Sequence, residues 1–124
     1  MSLFDWLLVG HLVGDFLLQS DNMAQNKGHH LRWMITHVGL YMVVITVILV
    51  AYELAHPLPL GWVAAAWFFL MITHVILDLR GFTTRWMRFV GMSPDHAWLP
   101  IVVDQVFHIL TLAVAAQVLT LVQG

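Results

Sequence analysis

Four long apolar stretches, residues 3–19, 34–55, 60–79 and 99–122, dominate this chain and leave only short polar connections between them. A helix needs roughly 20 residues to cross about 30 Å of hydrocarbon, so each stretch reads as a membrane-spanning helix, the first being the shortest. In lipid every backbone N–H and C=O must be satisfied inside the protein, and a helix does this within one segment. The competing arrangement is a soluble bundle of buried helices, which needs a charged outer face on each helix. None of the four stretches has one. Hydrophobic residues make up 60% and charged residues 10% of the 124 positions, against about 25% charged in soluble domains. The expected fold is an all-α integral membrane protein, a single-domain antiparallel bundle of four transmembrane helices.

Charge sets the orientation and removes several functions. The net charge of −2 provides no basic field for nucleic acid. The absence of cysteine excludes a disulfide framework, thiolate-bound zinc, an iron–sulfur cluster and a thiol nucleophile. Lys27 and Arg32 precede the second stretch, and Arg80, Arg85 and Arg88 lie between the third and fourth; these are all the basic residues. By the positive-inside rule both connections are cytoplasmic and both termini are outside. With no Lys or Arg before Lys27 and no small-residue cleavage motif, the first stretch is expected to stay in the fold.

The two basic connections differ. Residues 20–30 read as a polar loop in which Gly28 permits a turn and His29 and His30 are solvated rather than ligating. Residues 81–98 mix Arg85 and Arg88 with Phe82, Trp86, Met87, Phe89 and Val90, the composition of an amphipathic segment in the headgroup plane. Ser93 and Pro94 read as an N-cap and first helical position leading into the last span, which Pro100 is expected to kink.

Inside the apolar stretches, His11 and Asp15, His74 and Asp78, and Asp104 and His108 are each four residues apart, so each pair shares a helix face. His37 adds an imidazole from the second stretch. Counted from the cytoplasmic ends of the helices, Asp15 lies about 6 Å deep, His37 about 7 Å, His74 about 9 Å and Asp104 about 6 Å. They share a layer. His11 and His108 sit one turn deeper and Asp78 one turn shallower. GHLVGDF (10–16) aligns with THVILDL (73–79) on parallel spans, a weak internal repeat that would make the centre pseudo-symmetric.

Taken together, His11-xxx-Asp15-Phe16-Leu17-Leu18-Gln19, Asn26-Lys27, His37, His74-xxx-Asp78-Leu79-Arg80 and Asp104-Gln105-xx-His108 resemble the signature of a widespread family of small bacterial inner-membrane proteins of unknown function. The resemblance covers nearly the whole chain and implies four membrane helices, but no activity. Arg80 stands where many members carry Lys.

A carboxylate deep in a span costs about 2.5–3.5 kcal/mol on the insertion scale, so three of them require compensation. A network of His–Asp pairs, a haem held by axial histidines, and a proton or ion pathway each account for part of the pattern. A bound divalent transition metal accounts for all of it. His11, Asp15, His37, His74, Asp104 and His108 are the expected ligands for one or two ions, Zn foremost, with Fe or Mn as alternatives. Gln19 and Gln105 would support the ligands from behind. Asp78, nearest the cytoplasm, is the expected general base. Arg80, Arg85 and Arg88 would hold a phosphate or carboxylate, although positive-inside topology and lipid headgroups require the same residues.

The expected function is metal-dependent hydrolysis of a lipid or lipid-linked substrate at the cytoplasmic side, membrane lipid being the partner. The alternative is a non-catalytic metal-binding, or metal- or proton-translocating, membrane protein, as a monomer or homo-oligomer. Because the chain has no cysteine, single cysteines report topology cleanly. Cysteines at positions 2 and 124 should react with an impermeant maleimide in intact cells; reaction only after lysis would reverse the orientation.

Overall fold

A computed structural model describes residues 1–79, 81–93 and 95–123, and every regular element among them is helical. Arg80 and Pro94, read above as an anion-holding residue and as a first helical position, lie outside the described residues. Helix α1 (Leu3–Leu12) opens with a capping box: the Ser2 hydroxyl accepts from the Asp5 N–H, and the Asp5 carboxylate accepts from the Ser2 N–H at 2.7 Å. An acid within the first apolar stretch is therefore a helix cap. From Val13 to Leu17 the chain widens into a π-helical turn, closed by Leu18 N–H donating to Val13 O at 3.1 Å.

The expected first span, 3–19, is corrected in two ways. Its helix stops at Leu17, and the length from Leu3 is about 22 Å at the α-helical rise, short of a hydrocarbon core. The polar run that follows explains the stop, because the Ser20 hydroxyl caps a new helix, α2 (Asp21–Asn26), by accepting from Met23 N–H. Residues expected to be a polar loop are thus partly helical, and buried Met23 pins α2 down.

Three further helices, α3 (Leu31–Ala55), α4 (Leu60–Asp78) and α6 (Trp98–Gln123), are long and apolar enough to cross a membrane. Between the last two lies α5 (Gly81–Phe89), which buries Thr83 and Met87 and exposes Arg85, Trp86, Arg88 and Phe89. The amphipathic segment expected over 81–98 is helical only in this first half. Gly91, at φ 78°, takes the left-handed conformation that ends it, and Met92 N–H reaches back to Met87 O at 2.7 Å.

Helix α1 packs on α3 and α6, and α4 packs on the same two; α2 lies on α3, and α5 lies on α4 and α6. Burial along these helices is inverted relative to a water-soluble fold. His11, Asp15, His37, His74, Asp78 and His108 are buried, whereas Val43, Val47 and Val50 of α3, Phe68 and Ile72 of α4, and Val106, Leu110 and Val114 of α6 face outward. Such an outer surface suits hydrocarbon and not water. The apolar core, with Leu3, Leu7, Ile45, Leu49, Leu70, Leu112 and Leu119, fills the half of the molecule away from α2 and α5. Tyr41 closes it toward the polar half, its ring stacked 3.7 Å from that of His74.

Close approach of the first helix to α3 depends on Gly10 and Gly14, four apart on one face. A Cβ on Gly14 would stand 2.9 Å from Tyr41 Cδ2 and 3.3 Å from Tyr41 Cα, and one on Gly10 would stand 3.0 Å from Ile48 Cγ1. Gly39 has nothing within 4 Å. Gly14→Ala should therefore lower the melting temperature in detergent, through overpacking of about 1–3 kcal/mol. Gly39→Ala should leave it unchanged or raise it; equal effects would show that the two helices tolerate separation at Tyr41.

Candidate metal centre

The polar half of the molecule is assembled from four helical segments. The π-turn carries Asp15, α3 carries His37, α4 carries His74 and Asp78, and α6 carries Asp104, Gln105 and His108. His37 Nε2 is the hub. It lies 3.0 Å from His74 Nε2, 3.2 Å from Asp15 Oδ1 and 3.0 Å from Asp78 Oδ2. His74 Nε2 is 3.3 Å from Asp78 Oδ2 and 4.0 Å from Asp15 Oδ1. All four residues are buried.

These separations test whether a metal fits. Four tetrahedral donors 2.0–2.1 Å from a zinc ion stand about 3.3–3.4 Å apart. The observed edges, 3.0–3.3 Å with one of 4.0 Å, scatter around that value. Two imidazole nitrogens facing each other at 3.0 Å can share only a single proton if both rings are neutral, whereas both lone pairs can point at one cation. The donor set, two imidazoles and two carboxylates without sulfur, suits Zn, Fe or Mn.

A second group of donors adjoins the first through Asp78, whose carboxylate also lies near Asp104 and His108. His108 Nδ1 donates to the Asp104 carbonyl oxygen at 2.9 Å, which leaves its Nε2 with the lone pair, 4.0 Å from Asp78 Oδ1. A backbone acceptor behind the ring is the arrangement that orients metal-binding histidines. His108 Nε2 completes no hydrogen bond among the described residues, whereas the Asp78 oxygens are already met by the ion-pair contacts of His37 and of Lys27. Buried polar atoms left so are costly unless a cation engages them.

His11 stands apart from both groups. The Asp15 carboxylate only accepts, so the Gln105 amide nitrogen faces it at 2.8 Å and the amide oxygen faces His11 Nε2 at 2.9 Å. His11 must donate there. It therefore supports Asp15 through Gln105, and of the expected ligands it is the one that neither donor group includes. Its other nitrogen, Nδ1, has no partner among the described residues, and its ring stacks on that of His108 at 5.1 Å between centroids.

The depth count misplaces two aspartates. It put Asp104 in the common layer and Asp78 one turn outside it. Side chains on a helix lean toward its N-terminus. Asp78, at the C-terminal end of α4, leans inward onto His74, and Asp104, near the start of α6, leans outward. Consequently the Asp78 carboxylate joins the buried cluster, while the Asp104 side chain is 22% exposed against 1% for Asp78. Asp104 Oδ1 accepts from the Thr83 hydroxyl of α5 at 3.3 Å.

A cavity of about 570 Å³ opens onto the cluster. Asp15, Asp78, Asp104, Gln19, Gln105 and Lys27 form its polar wall, with Phe16, Leu77, Pro100 and Ile101 as its apolar one. Gln19 thus borders the cavity, its Oε1 buried without a hydrogen-bond partner among the described residues. Arg85 and Arg88, expected to hold an anion here, are exposed on α5 and do not border it. Arg85 instead lines a separate, more apolar groove with Phe82 and Trp86.

The residue that sequence reading missed is Lys27. Its ammonium lies 2.7 Å from Asp78 Oδ1, 3.4 Å from Asp15 Oδ1 and 3.3 Å from His37 Nε2. In sequence it falls in a polar connection, where its charge bears on orientation. Its place in the Asn26-Lys27 motif was the available signal. Thr83 was missed likewise, as an unremarkable hydroxyl on an amphipathic segment.

Neither the curated proteins nor the solved structures include a match to this chain. A family match does extend over residues 3–124, taking in every donor just described. By that match the chain belongs to the DUF3307 family, described as proteins of unknown function.

Proposed function

We propose that this protein is a membrane-embedded, metal-dependent hydrolase acting on a lipid or lipid-linked ester at the cytoplasmic side of a bacterial inner membrane. The observation that carries the reading is the convergence of four buried donor atoms, on Asp15, His37, His74 and Asp78, with an open cavity bordered by two of them, Asp15 and Asp78. In this reading α3, α4 and α6 span the bilayer and α1 with its π-turn enters it as a fourth, shorter segment, its Gly face against α3. The basic connections, and with them the cavity mouth, then face the cytoplasm.

Asp15, His37, His74 and Asp78 would hold a divalent metal, and His108 with Asp104 would border a second position sharing Asp78. Such an ion supplies Lewis acidity, polarising a carbonyl or phosphoryl oxygen and acidifying water. The protein's own groups do the rest. Asp104, partly exposed and oriented by Thr83, takes the proton-accepting role that the depth count gave to Asp78. Gln105 fixes the Asp15 carboxylate so that Oδ1 faces the donor cluster. The apolar wall of Phe16, Leu77 and Ile101 receives the acyl part of an amphiphile.

A second reading is favoured by Lys27. Its ammonium already sits against Asp78 and Asp15, so the carboxylates have a counter-charge without any metal. On that reading the cluster is a non-catalytic ion-pair network that fixes the helices.

Metal content and stability separate the two. Purified wild type should contain a transition metal, and a chelator should lower its melting temperature; metal at a hundredfold excess over Kd should stabilise by about 2.7 kcal/mol. His74→Ala and Asp78→Asn should both lose the metal. A metal-free wild type whose stability ignores chelators would leave the ion-pair network as the function of the cluster.

The assignment of the proton acceptor has its own test. Asp104→Asn should retain most of the metal while turnover of a lipid ester falls by about 10²–10⁴-fold, the range for losing a general base. Full metal loss in Asp104→Asn would make it a ligand instead.

A further inference from the structure

Lys27 is in a chemically unstable position for a protein that binds metal at this cluster. A neutral imidazole nitrogen has one lone pair, so His37 Nε2 can accept from the Lys27 ammonium, 3.3 Å away, or bind a cation, but not both. Asp15 Oδ1 is likewise shared, at 3.4 Å, and at 2.7 Å the ammonium also holds Asp78 Oδ1, the carboxylate oxygen that faces His108. The ammonium therefore occupies the donors' common field. Room exists for it to leave: Lys27 caps the short helix α2 just before Gly28, its side chain is 15% exposed, and it borders the 570 Å³ cavity.

The charge of the cavity changes with that exchange. With neutral histidines, Asp15, Asp78 and Asp104 against Lys27 leave the wall with two negative charges, which repel an anion. One divalent ion brings the wall to neutrality and a second makes it positive by two. Among the described residues Lys27 is the only basic side chain lining the cavity, so a displaced Lys27 becomes its anion-binding group.

Resting on the metal-centre reading above, we propose that Lys27 is an exchangeable cation. It holds the cluster together without metal, and metal binding turns it into the cavity, where it receives an oxyanion such as a phosphate group of the substrate. The site would then admit an anionic substrate only once it is loaded.

Lys27 is the sole lysine of the chain, so an amine-acylating reagent followed by mass spectrometry reads it against one internal reference, the N-terminal amine. The full-length protein in detergent, stripped with chelator, is labelled with and without zinc while bound zinc is measured in parallel. Lys27 labelling should accelerate about tenfold on loading, the equivalent of releasing one charge-assisted hydrogen bond, and the N-terminal amine should not change. Zinc bound with Lys27 labelling unchanged or slower overturns the exchange and leaves the metal centre standing. If neither zinc nor, in its place, iron(II) or manganese(II) binds, both are overturned.

Two further arms probe the anion. Inorganic phosphate or a short-chain phosphatidate should protect Lys27 in the zinc-loaded protein and not in the stripped one. Protection by both points to a free oxyanion and by phosphatidate alone to a lipid headgroup; protection by neither, or equally in the stripped protein, overturns the anion role. Lys27→Met should bind zinc about tenfold more tightly than wild type, with no ammonium to displace. Weaker binding in a variant of unchanged helicity would make Lys27 a support of the metal centre and overturn the exchange.

Discussion

A carboxylate removed from water needs a cation, and the polar half of this molecule is organised around that need. Two of its aspartates are almost fully buried, where an unpaired charge would cost several kcal/mol. Lys27 and His37 reach Asp15 and Asp78 from different elements. The interaction therefore ties α2, α3, α4 and the π-turn to one point. Among the described residues the apolar half has no buried ion pair and is held by packing of Leu, Ile and Val, by the close approach at Gly10 and Gly14, and by the hydrogen bond that Trp67 Nε1 donates to the Thr46 hydroxyl.

The π-turn belongs to the same problem. Insertions of this kind recur at functional sites because they re-aim side chains while preserving the helix. Here the widened turn carries Asp15, whose two oxygens are divided between Gln105 on one side and His37 with Lys27 on the other. The shortness of the first helical segment follows as well: the chain turns back at Ser20 so that α2 can deliver Lys27 over the cluster.

Helix direction decides which acid does what. Asp78 and Asp104 each pair with a histidine four residues away, and in sequence they look equivalent. One sits at the end of its helix and the other near the start of its own, so the common lean of side chains toward the helix N-terminus buries the first and leaves the second at the cavity. A pattern read at Cα level assigns them in reverse.

The sequence by itself determined the helical class, three of the apolar helices to within a few residues, and the convergence of Asp15, His37 and His74, but not the place of Asp78 beside them. Those properties follow from hydrophobic run length and from i,i+4 spacing, which are local. It did not determine where the first helix stops, because Ser20 as a cap competes with an apolar run whose outcome depends on what α2 packs against. Nor did it reveal Lys27 in the cluster, the withdrawal of His11 behind Gln105, or the separation of Arg85 and Arg88 from the cavity. Those were decided by tertiary structure alone, since each depends on which way a side chain points across a contact between segments distant in sequence, and hydrophobic periodicity carries no information about that direction.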